Sequence, residues 1–126
     1  MHNNESAENY LETILILAKK LPVVRSVDIA NELGFKKSSV SIAMKNLREK
    51  NYITVSDAGF ITLTEAGLQI ADMIYERHEI ISEVLVRLGV SEEIAAEDAC
   101  RIEHVISDKS LAAIKAHMSK YGKGTV

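Results

Sequence analysis

At 126 residues with a formal net charge of -3, the chain is long enough for one ordinary domain or two small ones sharing packing, and it is not a uniformly basic nucleic-acid binder. Hydrophobic residues make up 47% and charged residues 26%, a balance that excludes a disordered chain. A single cysteine excludes an internal disulfide framework and suits a reducing cytoplasm; with no basic start leading into an apolar segment and no run of about 18 apolar residues, neither export nor membrane insertion is expected.

Residues 6–20 are predicted to form a helix, with Ser6 as candidate N-cap and Tyr10, Leu11, Ile14, Leu15, Leu17 and Ala18 on a wide apolar face. Pro22 marks its end. A second short helix begins with Ser26 as cap, turns Val27, Ile29, Ala30 and Leu33 inward and stops at Gly34. After the turn Gly34-Phe35-Lys36, a third helix over residues 37–50 carries Val40, Ala43, Met44 and Leu47 inward. Two short helices across a turn containing glycine are a helix-turn-helix candidate.

The period then changes. Residues 52–55 and 60–63 are β-rich runs around the polar turn Ser56-Asp57-Ala58-Gly59, a predicted hairpin. Thr64 caps a predicted long helix that ends at Gly89, with Ile70, Met73, Ile74, Ile80, Ile81, Val84, Leu85 and Leu88 at helical spacing. Ser91, followed by Glu92 and Glu93, opens another helix that is expected to carry residues 100–104. Residues 108–121 form a final amphipathic helix, and residues 122–126 are expected to fray.

This order predicts a mainly α fold with a small β-hairpin: an N-terminal winged helix-turn-helix in residues 1–63, then a helical domain in residues 64–126. Ile80, Ile81, Val84, Leu85, Ile94, Ile102 and Ile106 are the expected two-fold interface of a homodimer. Such readers need two recognition helices to reach successive major grooves about 34 Å apart. The charge is asymmetric in the same sense. Residues 36–50 hold five cations against one anion, Glu49, whereas from Leu63 onward eleven acids face seven Lys or Arg. Lys36, Lys37, Ser38, Ser39, Ser41, Lys45 and Arg48 are therefore candidate contacts to the phosphates and base edges of double-stranded DNA. In isolation the same pattern is a solvated basic helix face; beside a wing it points to DNA.

Cys100, Glu103 and His104 stand at i, i+3 and i+4, so a helix would project all three from one face. Thiolate, carboxylate and imidazole together suit a first-row divalent ion. The bland alternative is a structural thiol beside a surface Glu and His. His78, at the polar edge of the long helix, could complete the site, although alone it is an ordinary partly exposed histidine, as Glu12 alone is a solvated carboxylate. His2 and His117 are given no role.

Asn9-Tyr10-Leu11-Glu12, the helix-turn-helix and wing, Arg77-His78-Glu79 and the run from Ala99 through Cys100-Arg101-Ile102-Glu103-His104 to Ser107 together resemble the diphtheria toxin repressor and manganese transport regulator family over residues 6–118. The late run is the specific part, because many regulators share a winged helix. The resemblance implies a cytoplasmic, dimeric transcriptional repressor, iron or manganese responsive, that binds operator DNA when a divalent metal is bound and controls metal homeostasis. Its second domain would be the dimerisation and metal-binding domain. By position Cys100, Glu103, His104 and His78 match family ligands, Glu12 matches a ligand of the manganese branch, and Asn9 falls where the family supplies Asp or Met, a weaker donor here. One ion held by these residues could clip the two domains together. Ser82 stands where iron-type members carry Glu, with Glu83 displaced by one, and Ala96 stands where they carry His; their ancillary site is therefore not expected. The chain ends before the linker and small β-barrel of longer members, so it resembles the short two-domain type.

The implied cofactor is Fe(II) or Mn(II), with Zn(II), Co(II) or Ni(II) as alternatives, because Glu12 resembles the manganese-type site whereas Cys100 is a softer ligand. Two other readings stay open: a winged-helix regulator using Cys100 as a redox sensor, and a small metal-binding protein or metalloenzyme. The chain carries no P-loop, nucleophile elbow or dinucleotide fingerprint, and it is not expected to be an enzyme.

Overall fold

The structure, a computed structural model, describes residues 5–121; His2 and the residues 122–126 expected to fray lie outside them. Six helices and one hairpin follow in the order α1 (Glu5–Lys20), α2 (Ser26–Leu33), α3 (Lys37–Glu49), β1 (Ile53–Val55), β2 (Ile61–Leu63), α4 (Glu65–Arg87), α5 (Glu92–Ile102) and α6 (Asp108–Tyr121). The chain divides into two compact units after Met73, inside α4.

The first unit is a winged helix. Tyr10, Leu11, Ile14, Leu15 and Leu17 of α1 are buried, whereas Ala18, expected on the same face, is exposed. α1 packs on α2 and α3, which also pack on each other. The N-cap of α2 is Arg25 and not Ser26: the Asp28 carboxylate accepts the Arg25 backbone N–H at 2.9 Å, so an acid three residues in does the work expected of a serine. At the other end Gly34 takes φ 70° and returns its N–H to the Ala30 carbonyl, a left-handed stop that releases the chain into the turn. α3 buries Val40, Met44 and Leu47.

β1 and β2 pair antiparallel in the register Ile53 to Leu63, Thr54 to Thr62 and Val55 to Ile61, with Ile53 and Ile61 buried. Two contacts hold this wing to the segment before α2. The Ile61 N–H donates to the Val24 carbonyl at 2.8 Å, and the Arg25 guanidinium lies 4.9 Å from the centre of the Phe60 ring. Thr64 caps α4, its hydroxyl accepting the Gly67 N–H at 3.1 Å while donating to the Asn51 carbonyl at 2.7 Å. A Cβ on Gly67 would lie 2.0 Å from the Tyr52 carbonyl oxygen, so only glycine lets α4 come this close to the strand entry.

The second unit holds the rest of α4 with α5 and α6. Its buried apolar residues are Ile74, Ile81, Ala95 and Ala99. Ile81, expected at a dimer interface, is 2% exposed and belongs to the chain's own core, whereas Ile94 is exposed as that reading requires. Leu88, Val86 and Val105 are exposed apolar side chains of this unit as well. Among the described residues no helix is long and apolar enough to cross a membrane.

Candidate metal centre

The α5 helix stops earlier than its sequence pattern suggests. It ends at Ile102; Glu103 is the C-cap, still in right-handed helical geometry, and His104 lies in the turn that follows. The expectation of one helix face carrying all three ligands therefore holds for Cys100 and Glu103 but not for His104. The cause is tertiary. Arg77 reaches from α4 and donates through one guanidinium nitrogen to the carbonyls of Glu103 (3.2 Å) and Ile106 (3.1 Å), and through the other to the Asp108 carboxylate that opens α6. These carbonyls would otherwise be orphans at a helix end. A cation from a neighbouring helix thus satisfies the carbonyls of the C-cap residue Glu103 and of Ile106 in the turn that carries His104.

Next to Arg77 on α4 is His78. Its Nδ1 lies 2.9 Å from Glu103 Oε1 and 3.9 Å from Cys100 Sγ, while Glu103 Oε2 lies 3.4 Å from His104 Nε2. His78, Cys100 and Glu103 each offer one donor atom within 4.8 Å of the others. Metal–ligand bonds of about 2.0 to 2.3 Å place donors roughly 3 to 4 Å apart around one ion. The observed separations match that spacing. Burial is graded across the cluster: Glu103 is fully buried, the His78 side chain is 22% exposed and Cys100 is exposed, leaving the sulfur side open to solvent.

The electrostatics of the cluster suit a cation. Glu103 Oε2 is buried and, among the described residues, accepts no aligned hydrogen bond, although His104 Nε2 is within ion-pair distance. A carboxylate oxygen out of water needs a positive partner. The His78 imidazole responds in the same way: its hydrogen bonds to Cys100 and then to Glu103, against the opposing effect of burial, push its pKa up to about 10. In the metal-free chain a proton on Nδ1 supplies positive charge where the donors converge. The residues present therefore fit a divalent transition metal.

The other expected ligands lie on α1, in the first unit. Glu12 is 5% exposed, so it is not the solvated carboxylate that the residue alone would suggest. Asn9 is half-buried, and its carbonyl accepts the Thr13 hydroxyl at 2.8 Å. Glu83 is paired with Arg87 one turn on. Lys36, Lys37, Ser38, Ser39, Ser41, Lys45 and Arg48 are all exposed, at the start and along the free side of α3.

Two residues escaped the sequence reading. Arg77 was visible only as the neighbour of His78, and no local pattern marks a side chain that caps another helix. Ile42 could have been found on a helical wheel: it falls off the apolar face of α3 and is 64% exposed.

Comparison with known proteins places both units. Residues 3–59 match the iron dependent repressor N-terminal DNA binding domain, and residues 64–123 match the iron dependent repressor metal binding and dimerisation domain. An HTH-type transcriptional regulator of Methanocaldococcus jannaschii is 35% identical over 120 residues, covering 94% of this chain and 96% of the relative. The transcriptional regulator MntR of Escherichia coli O157:H7 is 34% identical over 121 residues, covering 96% of this chain and 78% of that protein. Among solved structures, a manganese-dependent transcriptional repressor in complex with manganese superposes with a TM-score of 0.82 at 28% identity over 90% of this chain. The chain spans about half of that longer molecule, 52% of its length. These relatives are transcriptional regulators and not enzymes, which favours the repressor reading over the metalloenzyme and redox-sensor alternatives. With both of its domains matched in order, the chain belongs to the iron dependent repressor family of metal-dependent transcriptional regulators.

Proposed function

We propose that this chain is a divalent-metal-dependent repressor that acts as a cytoplasmic homodimer on double-stranded operator DNA in metal homeostasis. Residues 1–63 would bind the DNA, and residues 64–126 would dimerise and hold the metal. The observation that carries the reading is the convergence of His78, Cys100 and His104 on the buried Glu103, one of whose oxygens has no aligned hydrogen bond. These four are the proposed metal-holding residues; Glu12, and more weakly Asn9, join them through the family pattern. The preferred ion is Fe(II) or Mn(II).

When bound, the ion supplies a fixed positive charge and a rigid link among donors from separate elements. Glu103 contributes a carboxylate already stripped of water. Cys100 admits the ion from the open side and, as a soft ligand, shifts preference from manganese toward iron, cobalt or zinc. His78 must release its Nδ1 proton before that nitrogen can serve as a donor. Metal would shift the population toward the DNA-competent arrangement by binding it more tightly, and a coupling of roughly 1 to 3 kcal/mol corresponds to a 5- to 150-fold gain in DNA affinity.

On the DNA side, Lys36 and Lys37 stand at the start of α3, where the helix dipole disfavours cations by about 0.3 to 1 kcal/mol each. A phosphate at that end offsets the penalty, which supports these residues and Lys45 and Arg48 as backbone contacts, with Ser38, Ser39 and Ser41 between them.

The test is an anaerobic binding titration on a palindromic duplex library with Mn(II), Fe(II), Co(II), Zn(II) or a chelator. Binding should require metal and should rank the metals. Equal binding under every condition would overturn the corepressor reading.

A further inference from the structure

The buried side of α3 is set by Val40, Met44 and Leu47. With about 100° per residue, Ile42 falls close to the line diametrically opposite, together with Ser38, Lys45 and Glu49. It is 64% exposed, and the other exposed positions of α3 are all Lys, Ser, Asn, Arg or Glu. A β-branched side chain at such a position lowers helix propensity and leaves apolar surface in water. Phe35, the exposed aromatic of the preceding turn, differs because its ring packs edge-on against Tyr10 with centroids 6.0 Å apart. Ile42 shares this outward side with Ser38, Lys45 and Glu49, and its helical neighbours at i±3 and i±4 are Ser38, Ser39, Lys45 and Asn46, all exposed.

Contacts to phosphates fix register but do not by themselves distinguish one sequence from another. The major-groove edge of a base pair presents hydrogen-bond donors and acceptors and one apolar group, the C5-methyl of thymine. We infer that Ile42 is a specificity-determining residue that reads the C5-methyl of a thymine in each operator half-site. The flanking serines and lysines fix the register; the isoleucine rewards thymine at one position and gives nothing to cytosine or to the purines there. This inference rests on the DNA-binding reading above and adds a base preference to it.

A duplex is first selected from the palindromic library with the full chain and Mn(II). Each thymine pair related by the operator dyad is then replaced by 2′-deoxyuridine, which removes one methyl per half-site and preserves base pairing. Burial of one methyl-sized group predicts weakening by about 4-fold per half-site, or roughly 15-fold for both, at one thymine position. Ile42→Ala should lose the same factor on the thymine duplex and become indifferent to the replacement, while Ile42→Val keeps part of the response. Circular dichroism should be unchanged, because the residue is exposed. The inference is overturned if no thymine position is sensitive in the parent chain, if Ile42→Ala keeps the parent's sensitivity, or if Ile42→Ala changes only the oligomeric state. If no duplex is recovered with metal, the DNA-binding reading itself falls, a result distinct from metal-dependent binding that ignores the methyl.

Discussion

The two units of this chain are stabilised by different means. Among the described residues, the winged helix buries fourteen apolar side chains, from Tyr10 to Ala71, whereas the helical unit buries four, two of them alanines. The winged helix is held by its own hydrophobic core and a pinned wing. The helical unit adds part-buried polar ties to its smaller core: Arg77 on the Glu103 and Ile106 carbonyls and His78 on Glu103. A unit with a thin core and a buried carboxylate gains most from what binds it, which in the proposed function is a metal ion and a second subunit.

The largest effect is expected in the core of the first unit. Leu11, with no exposed surface, should lower the unfolding free energy by about 2 to 5 kcal/mol when changed to alanine. Urea denaturation should give the same loss with and without metal; recovery on adding Mn(II) would mean that the two units do not differ as described. Second, in the helical unit Mn(II) at about 100 times its Kd should add roughly 2.7 kcal/mol. Hydrogen exchange should show this as protection of the amides of residues 100–106, and Glu103→Ala should abolish it.

Arg77→Met would remove the donors to two carbonyls and to Asp108 while keeping much of the side-chain volume. Competition against a fluorescent chelator should show metal affinity reduced by about 10- to 100-fold, with Arg77→Lys intermediate. An unchanged affinity would assign the arginine to folding alone. A smaller effect follows from His78. Its folded pKa of about 10 lies above the ordinary 6.5 of an unfolded chain, so the protonated form favours folding. That contribution is complete below pH 6.5 and is lost as pH rises toward 10. The metal-free chain should lose stability across this window, His78→Gln should flatten the slope, and metal affinity should rise over the same range as the proton leaves. The smallest expected change is Lys37→Ala, which should weaken all duplexes alike and reduce the salt dependence by about one counterion.

Much of the first unit was legible because its signals are local: Gly34 ends α2, Thr64 caps α4, and the period changes at the hairpin. Arg25 in place of Ser26 as N-cap was a local surprise, since Asp28 three residues on decides the start. In the second unit the candidate ligands His78, Cys100 and Glu103 are named by type and spacing and lie close together, but the break at Ile102 was not legible. It depends on a guanidinium from another helix, and single-sequence periodicity carries no record of that contact. The burial of Ile81 was hidden for a similar reason, because an apolar residue at helical spacing suits a core or a subunit interface equally well.

Glu103 and its neighbours are the proposed holders of the metal ion. Crystals of the full chain grown anaerobically with Mn(II), with anomalous diffraction collected at the manganese edge, test this assignment most directly. A strong anomalous peak is expected at bonding distance from the Glu103 carboxylate together with donors from His78, Cys100 or His104. A peak elsewhere in the chain, or none at saturating manganese while DNA binding remains metal-dependent, would contradict it.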